Sequence, residues 1–430
     1  MKHLVAIALA MGLASPALAQ EKAPDRILEL ENKIDALSQE MERIKLGEAA
    51  AEPRADTPTL GFSPAASKVY HSQQNKVSIG GYGETTYQNF SKRRQDGNAA
   101  GRRDEADALR NIIYVGYKFN DKILFNSEIE FEHGTTGNGR GMVSVEAAYI
   151  DFRLSRPFGI RAGTLLVPMG ITNETHEPTT FHGVLRPSVE RNIIPSTWRE
   201  NGAGVFGEAG ILSYRSYIMT GLQAIKDKGV DGFTGSTALR RGRSSAAKSY
   251  AEDLAWIGRL DISPLEGVKA GASLYFGKAD QSLLARSVPV TLHEVHVQAE
   301  YRSLEIKALH AQGTIGNAAG VNSAQGFTDA AKNSVGSKFF GGYVEGALNI
   351  LAGTQTSQYL AFFARYERYN TQWRTPAGFA RDPANSRSEY TGGLTYKPIP
   401  QVAVKLDHQR ITNRARTGIN QFNLGLAYIF

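Results

Sequence analysis

Residues 76–430 form a succession of sixteen segments in which apolar and polar side chains alternate with period 2, and the helical period of 3.6 is absent. The segments are 76–88, 108–119, 121–132, 142–154, 158–167, 202–209, 211–221, 250–262, 266–277, 290–302, 303–312, 338–350, 357–369, 388–397, 401–411 and 419–430. In the last, Phe422, Leu424, Leu426, Tyr428 and Phe430 share one face, and Gln421, Asn423, Gly425 and Ala427 the other. In 121–132, Ile123, Phe125, Ile129 and Phe131 oppose Glu128, Glu130 and Glu132. In 401–411, Val402, Val404 and Leu406 oppose Lys405, Asp407 and Gln409. A charged face on strand after strand leaves no place for the core of a water-soluble domain. The pattern suits a transmembrane β-barrel, apolar toward lipid and polar toward a wet lumen.

The connections narrow this further. They alternate long and short along the chain. The long ones are 89–107, 133–141, 168–201, 222–249, 278–289, 313–337, 370–387 and 412–418, and the short ones include Asn120-Asp121, Gly210 and Pro398-Ile399-Pro400. A soluble sandwich has no reason to keep such a rule. An outer-membrane barrel does, with short periplasmic turns and long outer loops. An even strand number puts both termini in the periplasm. The expected fold is all-β, a 16-stranded antiparallel transmembrane barrel preceded by a short coiled-coil helix.

Residues 1–19 read as a signal peptide. Lys2 and His3 precede the apolar run 4–14, and Ala17-Leu18-Ala19 is a cleavage site. The run is too short for a membrane anchor, which takes about 20 apolar residues. In 20–47, Ile27, Leu30, Ile34, Leu37, Met41 and Ile44 make an unbroken heptad seam, so a periplasmic coiled coil is expected. Residues 48–75 are rich in Ala, Pro, Gly and Ser and read as a flexible linker to the barrel domain, 76–430. The chain has no cysteine, which excludes a disulfide framework and thiolate metal sites. Its net charge of +7 is mild and gives no reason to expect a nucleic-acid partner.

Several stretches resemble the phosphate-selective porin O and P family of bacterial outer-membrane porins. They are Ser78-Ile79-Gly80-Gly81-Tyr82-Gly83-Glu84, Tyr117-Lys118-Phe119-Asn120-Asp121-Lys122, and the run from Val167-Pro168-Met169-Gly170 to Glu177-Pro178. Arg191-Asn192-Ile193-Ile194-Pro195-Ser196-Thr197-Trp198, Ala251-Glu252-Asp253-Leu254-Ala255 and Phe422-Asn423-Leu424-Gly425-Leu426-Ala427-Tyr428 add to it. The resemblance spans about 76–430. It implies a homotrimer whose third long loop folds into the lumen. The terminal Phe430, with Tyr428 before it, resembles the assembly signal of outer-membrane barrels.

The third long connection supplies the constriction candidates Arg186, Arg191, Arg199, Glu174, Glu177 and Glu190. Mixed signs point to a transverse field rather than a simple anion filter. His176 and His182 lie near Glu174 and Glu177, but the spacing matches no metal motif, and structural hydrogen bonds are expected there. No metal or other cofactor is expected. Lumen-facing candidates are Glu128, Glu130, Arg259, Glu294, Arg365 and Lys405. They alternate in sign, so the basic stack of a phosphate pore is missing. Loop 222–249 carries Arg240, Arg241 and Arg243, expected to form a basic mouth that attracts anions or grips outer-leaflet lipopolysaccharide phosphates.

These features predict a porin for passive diffusion of small anionic or neutral solutes, with a weak anion preference. An outer-membrane enzyme would need a nucleophile elbow or metalloprotease motif, and neither is found. An adhesin or assembly barrel would need a passenger or periplasmic repeats. An energised transporter needs about 22 strands and a plug domain.

Overall fold

The structure, a computed structural model, describes residue 38, residues 59–71 and residues 76–430. The signal-peptide reading and, apart from residue 38, the coiled-coil reading lie outside the described residues. Sixteen antiparallel strands close into one barrel, each paired with its sequence neighbours and β1 with β16. The strands are β1 Val77–Phe90, β2 Glu105–Lys118, β3 Ile123–Glu132, β4 Met142–Ser155, β5 Phe158–Leu166, β6 Arg199–Ala209, β7 Leu212–Thr220 and β8 Leu254–Leu265. They continue with β9 Val268–Lys278, β10 Pro289–Tyr301, β11 Leu304–Ile315, β12 Lys338–Asn349, β13 Tyr359–Arg374, β14 Ser386–Ile399, β15 Val402–Asn413 and β16 Gln421–Ile429. Every strand read from the alternation is present. Among the described residues no helix is long and apolar enough to cross a membrane.

The two faces separate as the pattern requires. On β16, Phe422, Leu424, Leu426 and Tyr428 are exposed on the outer wall, while Gln421, Asn423 and Ala427 are buried inside. On β15, Val404 and Leu406 face out, and Lys405, Asp407 and Gln409 face in. At these positions the outer wall is therefore apolar, of the kind lipid covers.

Closure depends on the first and last strands. Tyr82 to Phe90 pair with Ile429 to Gln421, and the Gly81 amide donates to the Phe430 carbonyl at 2.9 Å. Side chains at Gly81 and Gly83 would collide with the rings of Phe430 and Tyr428, which lie across the seam. Both terminal aromatics are exposed and stacked on each other, 6.4 Å between centroids.

Part of the segment read as a linker is packed. Residues 59–71, ending in the short helix α1 (Lys68–His71), lie against the inner wall. Phe62 stacks on Tyr149 at 5.8 Å, and the Arg161 guanidinium sits 4.6 Å from the Phe62 ring centroid. The Tyr70 hydroxyl donates to Asp151 at 2.8 Å, and the Asn126 amide donates to the Ala66 carbonyl at 3.0 Å. A small-residue composition read as flexible because Ala, Ser and Gly show no period; the buried apolar content is carried by Phe62, Val69 and Tyr70.

Candidate functional site

The connection 167–198 leaves the wall between β5 and β6 and crosses the lumen. Asn173 ties its two stems together. The Asn173 amide donates to the carbonyls of Val167 at 2.7 Å and Trp198 at 3.0 Å, and its oxygen accepts from the Trp198 amide at 2.8 Å. An irregular segment in a lumen has free backbone groups that need partners. The opposite wall supplies them. Asp407 accepts from the Val184 amide at 2.6 Å, Glu367 from the Val189 amide at 2.9 Å, and Glu389 from the Ser188 hydroxyl at 2.7 Å. Lys405 donates to the carbonyls of Phe181 and Gly183. One turn of helix, α2 (Val189–Asn192), rests on this side.

Above the loop, at the end of the long connections, is a cavity of about 450 Å³. Carboxylates line one side: Glu84, Glu105, Asp107, Glu130 and Glu132, from β1, β2 and β3. Arginines line the other: Arg186 and Arg191 from the crossing loop, with Arg240 and Arg243 from the connection 221–253. Between them Arg110 pairs with Glu84 at 2.8 Å, and Arg199 with Glu146 at 3.0 Å.

The arginine side is not neutralised by its hydrogen-bond partners. Arg186 donates to the Thr197 hydroxyl and the His176 carbonyl, and Arg191 to the Ser188 hydroxyl. Arg243 donates to the carbonyls of Arg240, Ser196 and Thr197. The Nε atoms of Arg186 and Arg191 are buried without a hydrogen-bond partner. Burial, then the charge of Arg191 and Arg186, pushes Arg240 down to about 10; burial, then Arg240 and Arg199, pushes Arg243 down to about 10. Guanidinium groups so placed keep their charge at neutral pH.

The sequence candidates divide sharply. Arg186, Arg191 and Arg199 line the cavity. Glu174, Glu177 and Glu190 do not. Glu174 pairs with Arg215 at 3.1 Å, Glu177 accepts the amides of Ala65 and Ala66, and Glu190 accepts from Thr172 and Tyr343. These acids hold the loop in place, and the opposing acids come from the strands. Of the expected basic mouth, Arg240 and Arg243 turn into the cavity, while Arg241 stays outside, paired with Asp231 at 3.1 Å. Glu130 lines the cavity. The other inward candidates are buried in networks: Glu128 with His176, Arg259 with Asp261, Glu294 with His296 and Ser273, Arg365 with Glu345 and Glu367. His182 pairs with Glu305 at 3.1 Å. Glu105 and Asp107 were missed because 89–107 read as loop; Ala106 and Ala108 between and after them continue the alternation.

A closed barrel of sixteen antiparallel strands with a long loop across its lumen is the fold of outer-membrane porins. OmpF of Salmonella typhi superposes with a TM-score of 0.54 at 12% identity, covering 83% of this chain and 98% of that one. An anion-selective porin from Comamonas acidovorans gives 0.52 at 11% identity, over 82% and 99%. The outer membrane channel DcaP of Acinetobacter baumannii gives 0.52 at 12% identity, over 82% and 97%. At such identities the likeness is one of fold. No protein-family model matches the chain. The chain belongs to the same family as an uncharacterized protein of Aquifex aeolicus (strain VF5), 34% identical over 383 residues, 88% of this chain and 85% of that protein.

Proposed function

We propose that this chain is an outer-membrane porin that lets small hydrophilic solutes diffuse passively, with a preference for anions. The observation that carries the reading is the cavity, with charged arginines facing carboxylates at the mouth of a polar lumen. A transverse field orders water and solute dipoles, and guanidinium groups whose own hydrogen-bond partners are neutral are left to pair with an anion, against the opposing carboxylates. The site is built from arginine, whose planar fork pairs with carboxylate and phosphate. The sequence resemblance to the phosphate-selective porin O and P family agrees, but the opposing acids favour a modest preference over a phosphate filter. The porin and channel folds that superpose on this barrel support a conduit rather than an enzyme.

A homotrimer is part of the proposal. His310, Arg368, His408 and Arg410 are exposed on the outward face of β11, β13 and β15. Small residues, Gly342, Gly346, Ala364 and Gly392, lie among them on the same stretch of wall. A lipid-facing arginine costs about 2–4 kcal/mol at the bilayer midplane, so contact between subunits suits this stretch better than lipid. Contact of outer arginines with lipopolysaccharide phosphates is also part of the proposal.

Swelling of proteoliposomes tests the channel. Vesicles containing the protein should swell rapidly in isosmotic small sugars and faster in salts of small carboxylic acids. Swelling no faster than in protein-free vesicles would refute the proposal.

A further inference from the structure

The crossing loop is fastened to β3 and β4 through three buried side chains. His176, Glu128 and Glu146 are 2%, 2% and 1% exposed. One donor atom of each lies within 4.8 Å of the others. His176 Nε2 is 2.8 Å from Glu128 Oε1 and 3.7 Å from Glu146 Oε2. On the far side of the ring, Nδ1 is 2.8 Å from the Asn173 carbonyl oxygen.

That carbonyl only accepts, so Nδ1 carries the proton. In the neutral imidazole, Nε2 is then a lone pair aimed at two carboxylates. Three converging lone pairs, sealed from water, require a positive charge among them. A proton on Nε2 serves Glu128 but leaves Glu146 Oε2 without a hydrogen bond, and that atom is buried and unpartnered. Arg199 reaches only the other oxygen of Glu146. A metal ion satisfies all three atoms at once.

We propose that His176, Glu128 and Glu146 form a divalent-cation site, and that zinc is the ion their donors suit. One imidazole nitrogen and two carboxylate oxygens are a zinc donor set. With ligand bonds of about 2.0–2.2 Å, a tetrahedral ion holds its ligand atoms about 3.3 Å apart. The separations of 2.8 and 3.7 Å bracket that value. The outer shell is also in place. Nδ1–H donates to a backbone carbonyl, the usual way a ligating imidazole is oriented. The Tyr114 hydroxyl donates to Glu128 at 3.2 Å and Arg199 to Glu146 at 3.0 Å. Glu146 also borders the cavity. The ion joins a loop residue to two wall strands and so fixes the loop where it narrows the lumen.

Full-length protein, purified in detergent and stripped with EDTA, is loaded with zinc chloride, desalted and analysed for metal. About one zinc per chain is expected, with the thermal midpoint raised by zinc and lowered again by EDTA. Glu146→Gln, Glu128→Gln and His176→Gln should each weaken zinc binding at least about tenfold, the scale on which lost shell contacts act. His182→Gln, whose partner is Glu305, should bind as wild type. Heat-modifiable migration on gels checks that each variant is folded; the glutamine variants of Glu146 and Glu128 keep the side-chain shape if the histidine variant does not fold. Wild-type protein without stoichiometric zinc, or folded glutamine variants that bind it as tightly as wild type, would overturn the site.

Discussion

Residues 59–71 occupy part of the lumen, so a chain lacking them should conduct better. Sixteen strands about 4.8 Å apart and tilted about 40° close into a barrel about 32 Å across between backbones. Inward side chains take about 5 Å all round, which leaves about 380 Å² of cross-section. A chain segment about 10 Å across with its side chains fills about 80 Å², a fifth of the opening. The crossing loop removes at least as much again. Deletion should therefore raise single-channel conductance by roughly 1.2- to 1.4-fold, since conductance follows the open area along the blocked length. The wall should survive the deletion. Asp151 keeps Arg161, paired at 2.6 Å, and Arg215 keeps Asp261 and Glu174. Recording from purified wild-type and deleted channels at high salt measures the ratio. Equal conductances, or a smaller one after deletion of a protein that still shows heat-modifiable folding, would refute the account of this segment as a lumen filler.

Replacing Arg186, Arg191, Arg240 and Arg243 together with serine should change conductance at every salt concentration and lower anion preference, whereas Arg241→Ser should change neither by more than about a tenth, because screening over about 10 Å at 0.1 M hides an outer charge; reversal potentials and step sizes decide. Arg161→Met strands the buried Asp151 carboxylate and should cost about 3–5 kcal/mol, while adding Asp151→Asn should recover most of it; additive losses in thermal unfolding would contradict the pairing. Gly83→Leu should displace Tyr428 from the seam and slow assembly into the heat-modifiable form, and assembly at the wild-type rate would count against the ring's role. Cysteine placed at Asp231 should label on intact cells and cysteine at Asp121 should not; the reverse pattern would invert the barrel.

The strands were legible because a barrel wall has only two environments, and each residue must choose between lipid and lumen. Strand ends were less so. β13 runs to Arg374, five residues beyond the alternation read from sequence, because Asn370, Thr371, Gln372 and Trp373 extend the hairpin above the lipid level. The direction of a loop side chain was not legible at all. Arg240, Arg241 and Arg243 are near neighbours in sequence, yet the short helical turn at Arg240–Gly242 sends two inward and one outward. The acids of the crossing loop looked like pore groups because they sit beside its arginines in the chain. Glu190 turns away to Thr172 and Tyr343, and that follows from the loop's path across the barrel, set by contacts 18 and 153 residues distant. The inner segment 59–71 lacked any period because it follows the shape of the lumen rather than a helix or sheet.

Ion selectivity in planar bilayers is the most direct test of the channel and of its arginine wall. Purified wild-type protein should insert in discrete current steps, and under a gradient of potassium chloride its reversal potential should have the sign of an anion preference. The preference should shrink as ionic strength rises but persist, because the cavity arginines are partly buried and screened less than surface charges. Absence of discrete steps, or a reversal potential of the cation sign, would contradict the account.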